Sequence, residues 1–225
     1  MPEFDEVVNQ SDYESCSSKK QQLLNDIKQI IVDSNSLLEG NSFYVHESLQ
    51  LYPDLYTKQL NLFWCGKQAL TQICEIGFNA GHSSMLMLLG NNTIPMNFTI
   101  FDIGVHSYTL PCVKYIESQF QHIQFEYIEG DSTVTMPKWM EANPTKVGLY
   151  DVVHVDGGHS EHCISNDMKN ADILLKKGGI LIIDDTNMSH INHYVNLYLC
   201  DGKYREMDVL QTKGYPHRII QKRSS

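Results

Sequence analysis

The sequence predicts an α/β protein built on a seven-stranded, mostly parallel sheet with helices on both faces and an N-terminal helical cap. Three observations carry this. From residue 70 onward, short apolar runs alternate with helical stretches. Several of those runs end in carboxylates or glycine-rich turns. Apolar residues make up 42% of the 225, enough for one sizeable core.

Each element follows in order. Residues 1–18 are polar, hold little to bury, and are expected to form a disordered tail. From 19 to 39, Leu23, Leu24, Ile27, Ile30, Ile31, Leu37 and Leu38 recur at helical spacing, and Gly40 follows as a stop. Residues 41–68 are rich in aromatics: Phe43, Tyr44, Tyr52, Tyr56, Phe63 and Trp64. They read either as packing on the core or as the aromatic walls of a cap over an active site. Residues 19–69 thus form the cap and 70–225 the main domain, with neither a linker nor an internal repeat.

Strands are expected at 71–76, 98–102, 124–128, 150–155 and 179–184, with helices between them at 81–90, 108–121, 133–142 and 160–176. Alternation of this kind implies parallel strands joined by right-handed crossovers. In the 160–176 stretch Ser160 can cap the helix, and Ile164, Met168, Ala171 and Leu175 share one face. Lys176 and Lys177 suit its last turn and Gly178 its end. A helix near 188–200 and strands near 204–210 and 216–221 complete the chain.

Bulk properties exclude some function classes. A net charge of −10 argues against a nucleic-acid partner, which needs a Lys/Arg surface. The N-terminal MPEFDEVVNQ lacks a signal-peptide pattern, and no apolar run approaches the roughly 18 residues of a membrane span. The six cysteines are scattered, without a CxxC pair, as in a reduced protein. The expectation is a cytoplasmic protein without membrane attachment, acting on a small-molecule or glycan partner; homo-oligomerisation is left open. His159, His162 and Cys163 raise zinc, but a tetrahedral site usually adds a second spaced pair, and none is evident.

The chemistry-bearing residues fall at strand ends. DVVHVDGGH at 151–159 and GILIIDDT at 179–186 are apolar runs ending in carboxylates. Ligands of open α/β sheets sit beyond the carboxyl ends of strands, so Asp156, Asp184 and Asp185 should meet at one rim, with His159 beside them. Three carboxylates suit a hard divalent cation, and an imidazole is a ready proton acceptor. The first strand runs into Glu75-Ile76-Gly77-Phe78-Asn79-Ala80-Gly81, an E-x-G-x-x-x-G turn rather than the G-x-G-x-x-G of nicotinamide sites. Its glycines allow a sharp turn close to a ligand, and the helix beginning near Gly81 points N–H groups at it. Asp102 ends the second strand, placed to bond ribose hydroxyls. Gly130-Asp131-Ser132 follows the third.

Plainer roles exist for each. The Gly-rich turn and Asp102 can be structural. Asp131 can cap a helix, Asp185 can cap the helix near 188, and His159 can satisfy a backbone carbonyl. His154, inside an apolar strand, reads as a core histidine outside the site. His106, His190 and His193 lie near the same rim, without a role the sequence assigns.

Taken together, EIGFNAGHS at 75–83 and VDGGH at 155–159 with the later Asp-Asp strand end resemble the class I S-adenosylmethionine-dependent methyltransferases, over roughly residues 70–185. Within that superfamily the chain is similar to the metal-dependent O-methyltransferases, in particular the group containing macrocin and other macrolide-sugar O-methyltransferases. The resemblance implies a Rossmann-like fold. It implies that Glu75, Gly77 and Gly81 hold the methionine half of the cofactor, that Asp102 holds the ribose, and that Asp131 and Ser132 flank the adenine. Asp156, Asp184 and Asp185 would bind Mg²⁺ or Mn²⁺, and His159 would be the general base. The catechol-methylating branch carries Asp-Asn and a lysine in place of His159, and the sugar branch Glu-Asp with a histidine. This chain has Asp-Asp with a histidine and leans toward the sugar branch without matching it. The implied activity is methylation of a sugar hydroxyl in a glycan or glycosylated small molecule. A catechol or phenol acceptor is the alternative, and a non-catalytic cofactor-binding module is the reading from another class.

Overall fold

The computed structural model describes residues 10–45, 48–91, 94–213 and 215–224. Two short helices-and-ribbon layers precede the sheet. They comprise α1 (Gln10–Ser15), α2 (Ser17–Asp33), a two-stranded ribbon of β1 (Tyr44–Val45) and β2 (Gln50–Leu51), and α3 (Tyr56–Gln68). The alternating part follows: β3 (Gln72–Ile76), α4 (His82–Gly90), β4 (Met96–Asp102), α5 (Thr109–Gln119), β5 (Ile123–Glu129), α6 (Ser132–Ala142), β6 (Tyr150–Val155), α7 (Glu161–Leu174) and β7 (Leu175–Ile183). It closes with α8 (Ser189–Cys200), β8 (Tyr204–Glu206) and β9 (Arg218–Lys222).

The seven-stranded sheet has the order β5-β4-β3-β6-β7-β9-β8. Strands β3 to β7 run parallel, while β9 is antiparallel to both β7 and β8. This is the α/β, Rossmann-like arrangement expected. The chain builds outward from β3 to β5, then returns to lay β6 on the other side of β3. The sheet therefore reverses direction of growth between β3 and β6, where open α/β sheets hold their ligands.

Period-two alternation sorts the core into two layers. Ile73, Phe98, Ile100, Val152, Ile180, Ile182 and Ile219 face α2 to α5, while Cys74, Phe101, Val153, Leu181, Ile183 and Ile220 face α6 to α8. Both faces are covered, which is why these strands read as continuous apolar runs.

Three expectations need correction. Residues 10–18 are helical rather than a tail, because Tyr13 is fully buried and donates to Gln59 Oε1 at 2.6 Å; residues 1–9 lie outside the described part. The first long helix ends at Asp33 rather than 39, leaving Leu37 exposed and Leu38 buried. Helix α7 keeps its Ser160 cap, whose hydroxyl accepts from Cys163 N at 3.1 Å, but stops at Leu174. Leu175 pairs with Tyr150 instead, and Lys176 reaches the buried Asp151. Asp151 also gathers the N–H groups of Leu70, Thr71 and Gln72, at 3.1, 2.6 and 2.9 Å. That network needs a cation, and its supply takes the chain out of the helix early.

Helices α3 and α4 touch backbone to backbone. A Cβ on Gly66 would lie 1.9 Å from the Met87 carbonyl oxygen, and one on Gly90 would lie 2.0 Å from that of Phe63. The two glycines let α3 settle against the sheet layer with every residue from Lys58 to Gly66 buried. No helix among the described residues is long and apolar enough to cross a membrane.

Candidate active site

A cavity of about 340 Å³ opens beyond the carboxyl ends of β3, β4 and β6. Its floor is the turn after β3. Gly77 takes φ +86°, and a Cβ there would fall 1.9 Å from the Asp156 carbonyl oxygen, so only glycine lets the two strand ends close together. Asp156 N donates to Ile76 O at 2.8 Å across the same gap.

Asp102 lines the cavity and anchors that turn. Its Oδ2 accepts from Phe78 N at 2.8 Å and Asn79 N at 2.9 Å, and its Oδ1 from Gly104 N at 2.7 Å. Asp131 and Ser132 also line the cavity. Asp131 caps α6 through Thr133 N at 2.9 Å, so the plainer role and the ligand-facing position coexist.

Two expected cofactor residues lie elsewhere. Glu75 is fully buried behind the turn and does not line the cavity. Its carboxylate accepts from Ser83 Oγ at 2.6 Å and Ser84 Oγ, and meets His154 Nδ1 at 2.9 Å. Gly81 starts α4 at φ +79° and packs on Phe78 and Ile116 rather than on the cavity. Both shape the loop from behind it.

The opposite wall is Asp156, Gly157, Gly158, His159 and Asp185. His159 Nε2 lies 2.8 Å from Asp185 Oδ2. This hydrogen bond, against the opposing effect of burial, raises the His159 pKa above its ordinary value. Asp185 sits at φ +52°, a left-handed conformation rare for a side chain other than glycine, and its carboxylate turns to the histidine. Helix α8 begins instead at Met188 without a side-chain cap. His190 Nε2 meets the His159 carbonyl oxygen at 2.6 Å, and His106 lines the cavity stacked on Tyr108.

Behind this wall lies a residue the sequence did not single out. Lys58 of α3 donates to Asp184 Oδ2, with the two side chains only 3% and 4% exposed. Burial alone would lower the Lys58 pKa, but Asp184 and then Asp156 drive it upward. Burial would raise Asp184, but the ammonium holds it below the usual carboxylate range. Asp156 goes the other way: burial, then the charge on Asp184, raise it well above that range. His154 is the core histidine expected, fully buried, yet its ring belongs to this neighbourhood.

Among the described residues, donor atoms gather within 4.8 Å as His154–Asp156–Asp184 and as Asp156–His159–Asp185, not as Asp156–Asp184–Asp185. Each grouping includes a carboxylate with one oxygen already engaged, Asp184 Oδ2 by the Lys58 ammonium and Asp185 Oδ2 by His159; Asp184 Oδ1 is left without a protein partner, but an ion there would share the carboxylate with a buried cation. Mg²⁺ demands near-octahedral oxygen ligands at about 2.0–2.1 Å. As arranged, these residues do not fit it.

The aromatic segment divides. Phe43, Tyr44, Phe63 and Trp64 are buried, with Phe43 and Tyr44 packed on His82. Tyr52 and Tyr56 are half-buried, the Tyr52 ring edge-to-face with Tyr215 at 6.5 Å and the Tyr56 hydroxyl donating to Glu14 at 2.7 Å. The cavity's other edge is the segment Glu39–Ser42, held by Asn79 Nδ2 donating to Glu39 O at 2.6 Å and Gly40 O at 2.8 Å.

Comparisons with known proteins agree with this architecture. The sequence matches a family model described as a methyltransferase domain over residues 74–186. No curated protein matches the chain. Among solved structures, the O-methyltransferase from Bacillus cereus in complex with S-adenosylhomocysteine superposes with a TM-score of 0.60 at 16% identity, covering 89% of this chain and 90% of that one. The O-methyltransferase TomG from Streptomyces achromogenes, in complex with S-adenosylmethionine, gives 0.64 at 15% identity over 100% of both chains. The S-adenosylhomocysteine-bound methyltransferase PaMTH1 from Podospora anserina gives 0.59 at 12% identity, covering 96% and 97%. At such identities the likeness is one of fold.

Proposed function

The chain belongs to the methyltransferase-domain family matched over residues 74–186, and on that premise we propose that it is an S-adenosylmethionine-dependent O-methyltransferase using His159 as its base. The observation that carries this is the His159–Asp185 pair on the wall of the cavity that Gly77, Asp102, Asp131 and Ser132 line from the other side. A cofactor-sized cavity faced by an oriented imidazole is what hydroxyl methylation requires.

The residues divide the work. The Gly77–Ala80 turn and Asp102 would hold the amino-acid and ribose portions of the cofactor, and Asp131 with Ser132 would border its base. When bound, the cofactor supplies a methyl group made electrophilic by a sulfonium. With Asp185 engaging Nε2, His159 offers Nδ1 to the acceptor hydroxyl. The proton would move to Nδ1 as the oxygen takes the methyl group and the methyl's bond to sulfur breaks, leaving a neutral thioether, and Asp185 would stabilise the resulting imidazolium, as a carboxylate does in other base pairs of this kind.

The Mg²⁺ or Mn²⁺ implied by the family resemblance enters no step here, because Lys58 and His159 already engage the carboxylates that would bind it. For the acceptor, the reading is a sugar hydroxyl. An aliphatic hydroxyl holds its proton tightly, and an imidazole backed by a carboxylate is a stronger base than an imidazole alone. The buried Phe43, Tyr44, Phe63 and Trp64 lend this no support.

The test has two stages. Calorimetry with S-adenosylhomocysteine should show binding. Methyl transfer should then be compared on deoxy-sugar glycosides and catechols, with the product located by mass spectrometry and NMR. Turnover of catechols with none on any sugar overturns the acceptor class. Absence of cofactor binding overturns the function.

A further inference from the structure

Lysine is almost never fully buried unless paired. Lys58 is sealed inside α3, and its ammonium donates to Asp184 while Asp156 and Asp185 also stand close enough to act on its charge. The neighbouring polar side chains have partners of their own, though His154 also keeps a ring nitrogen within 4.8 Å of Asp156 and Asp184. Asn61 Nδ2 meets His217 Nε2 at 2.8 Å and holds Leu210 O at 3.0 Å, while His154 is turned to Glu75. Lys58 is therefore the cation of this carboxylate cluster.

We propose that Lys58 is a built-in substitute for a metal ion: its ammonium pairs with Asp184 where Asp156, Asp184 and Asp185 meet, so that methyl transfer proceeds without a divalent cation. The proposal rests on the reading of the chain as a methyltransferase, but its geometry is independent of the acceptor. A divalent ion in either donor grouping would share a carboxylate with Lys58 or displace His159 from Asp185. It would also bring a second cation against a buried first one, with little water to screen them. Lys58 does not line the cavity, so it acts as a positioning residue. It ties α3 to the strand end of β7 through Asp184, leaving Asp185 free to orient His159.

The experiment uses the full chain and Mn²⁺ alone as probe, followed by electron paramagnetic resonance. Wild type should leave the free-ion signal undiminished at millimolar Mn²⁺, and its turnover should be the same in excess chelator as in Mg²⁺. Lys58→Met, which removes the charge and keeps the length, should take up Mn²⁺, because the carboxylates then lack their resident cation. Uptake of Mn²⁺ by wild type, or loss of wild-type turnover in chelator, overturns the proposal. So does a Lys58→Met protein of wild-type circular dichroism that takes up none. Should that variant not fold, the wild-type titration decides alone. If cofactor binding fails while wild type still ignores Mn²⁺, the functional reading falls and the charge assignment stands.

Discussion

Asp185 reaches His159 across 2.8 Å from a left-handed backbone conformation. The carboxylate is aimed by its own strained turn, and the imidazole in turn by the carboxylate.

Substituting His159→Ala should leave S-adenosylhomocysteine binding intact and lower turnover by about 10²-fold or more. Asp185→Asn should lower it as well, through loss of orientation. The base must be neutral to accept a proton, and its pKa is raised. The rate should therefore climb with pH through a midpoint above that of free histidine, and move back toward it in Asp185→Asn. Steady-state rates across pH check both; near-normal turnover of His159→Ala returns that residue to structure.

Asp102→Ala should weaken cofactor affinity and stability together. The substitution strands the N–H groups of Phe78, Asn79 and Gly104, and an unsatisfied buried donor costs about 1–3 kcal/mol. Calorimetry and urea denaturation measure the two effects. Unchanged affinity would remove Asp102 from the ribose site.

Asp151 predicts an acid limb of stability. Burial would raise its pKa, but Lys176 and the N–H groups of Gln72 and Thr71 hold it below the ordinary value. A carboxylate depressed on folding stabilises the native state above its unfolded pKa, and that contribution is lost as pH falls through the folded one. Stability should drop below about pH 4, and Asp151→Asn should flatten the drop. Thermal melts from pH 6 to 3 would show it.

Gly66→Ala should destabilise the protein by about 1–3 kcal/mol, at the upper end because the Met87 carbonyl it meets is backbone and cannot rotate aside. Denaturation midpoints check this. A neutral effect would mean that α3 can lift from α4 without cost.

The sheet was legible because its strands write themselves locally, as apolar runs closed by Asp102, Gly130, Asp156 and Asp184. The rim residues were legible for the same reason, since each stands at a strand end. Glu75 and Gly81 follow the motif's order along the chain, yet both sit behind the turn and not on the cavity wall, because a motif does not say which side of a turn a carboxylate takes. Lys58 escaped notice because its partner is 126 positions away. One signal was available. TKQLNLFW puts a lysine, a glutamine and an asparagine into a helix otherwise apolar on all sides, and polar groups there must find partners indoors.

Helix α3 lies outside the segment shared with the methyltransferase family, yet it delivers the charge that the shared segment's Asp184 depends on. The recognisable domain is thus electrically incomplete by itself. A chain trimmed to residues 74–186 would leave Asp184 without its counterion. Grafting a foreign N-terminal segment that lacks this lysine would leave Asp184 unpaired even where the shape was kept. In this protein the boundary of the homologous unit and the boundary of the working unit do not coincide.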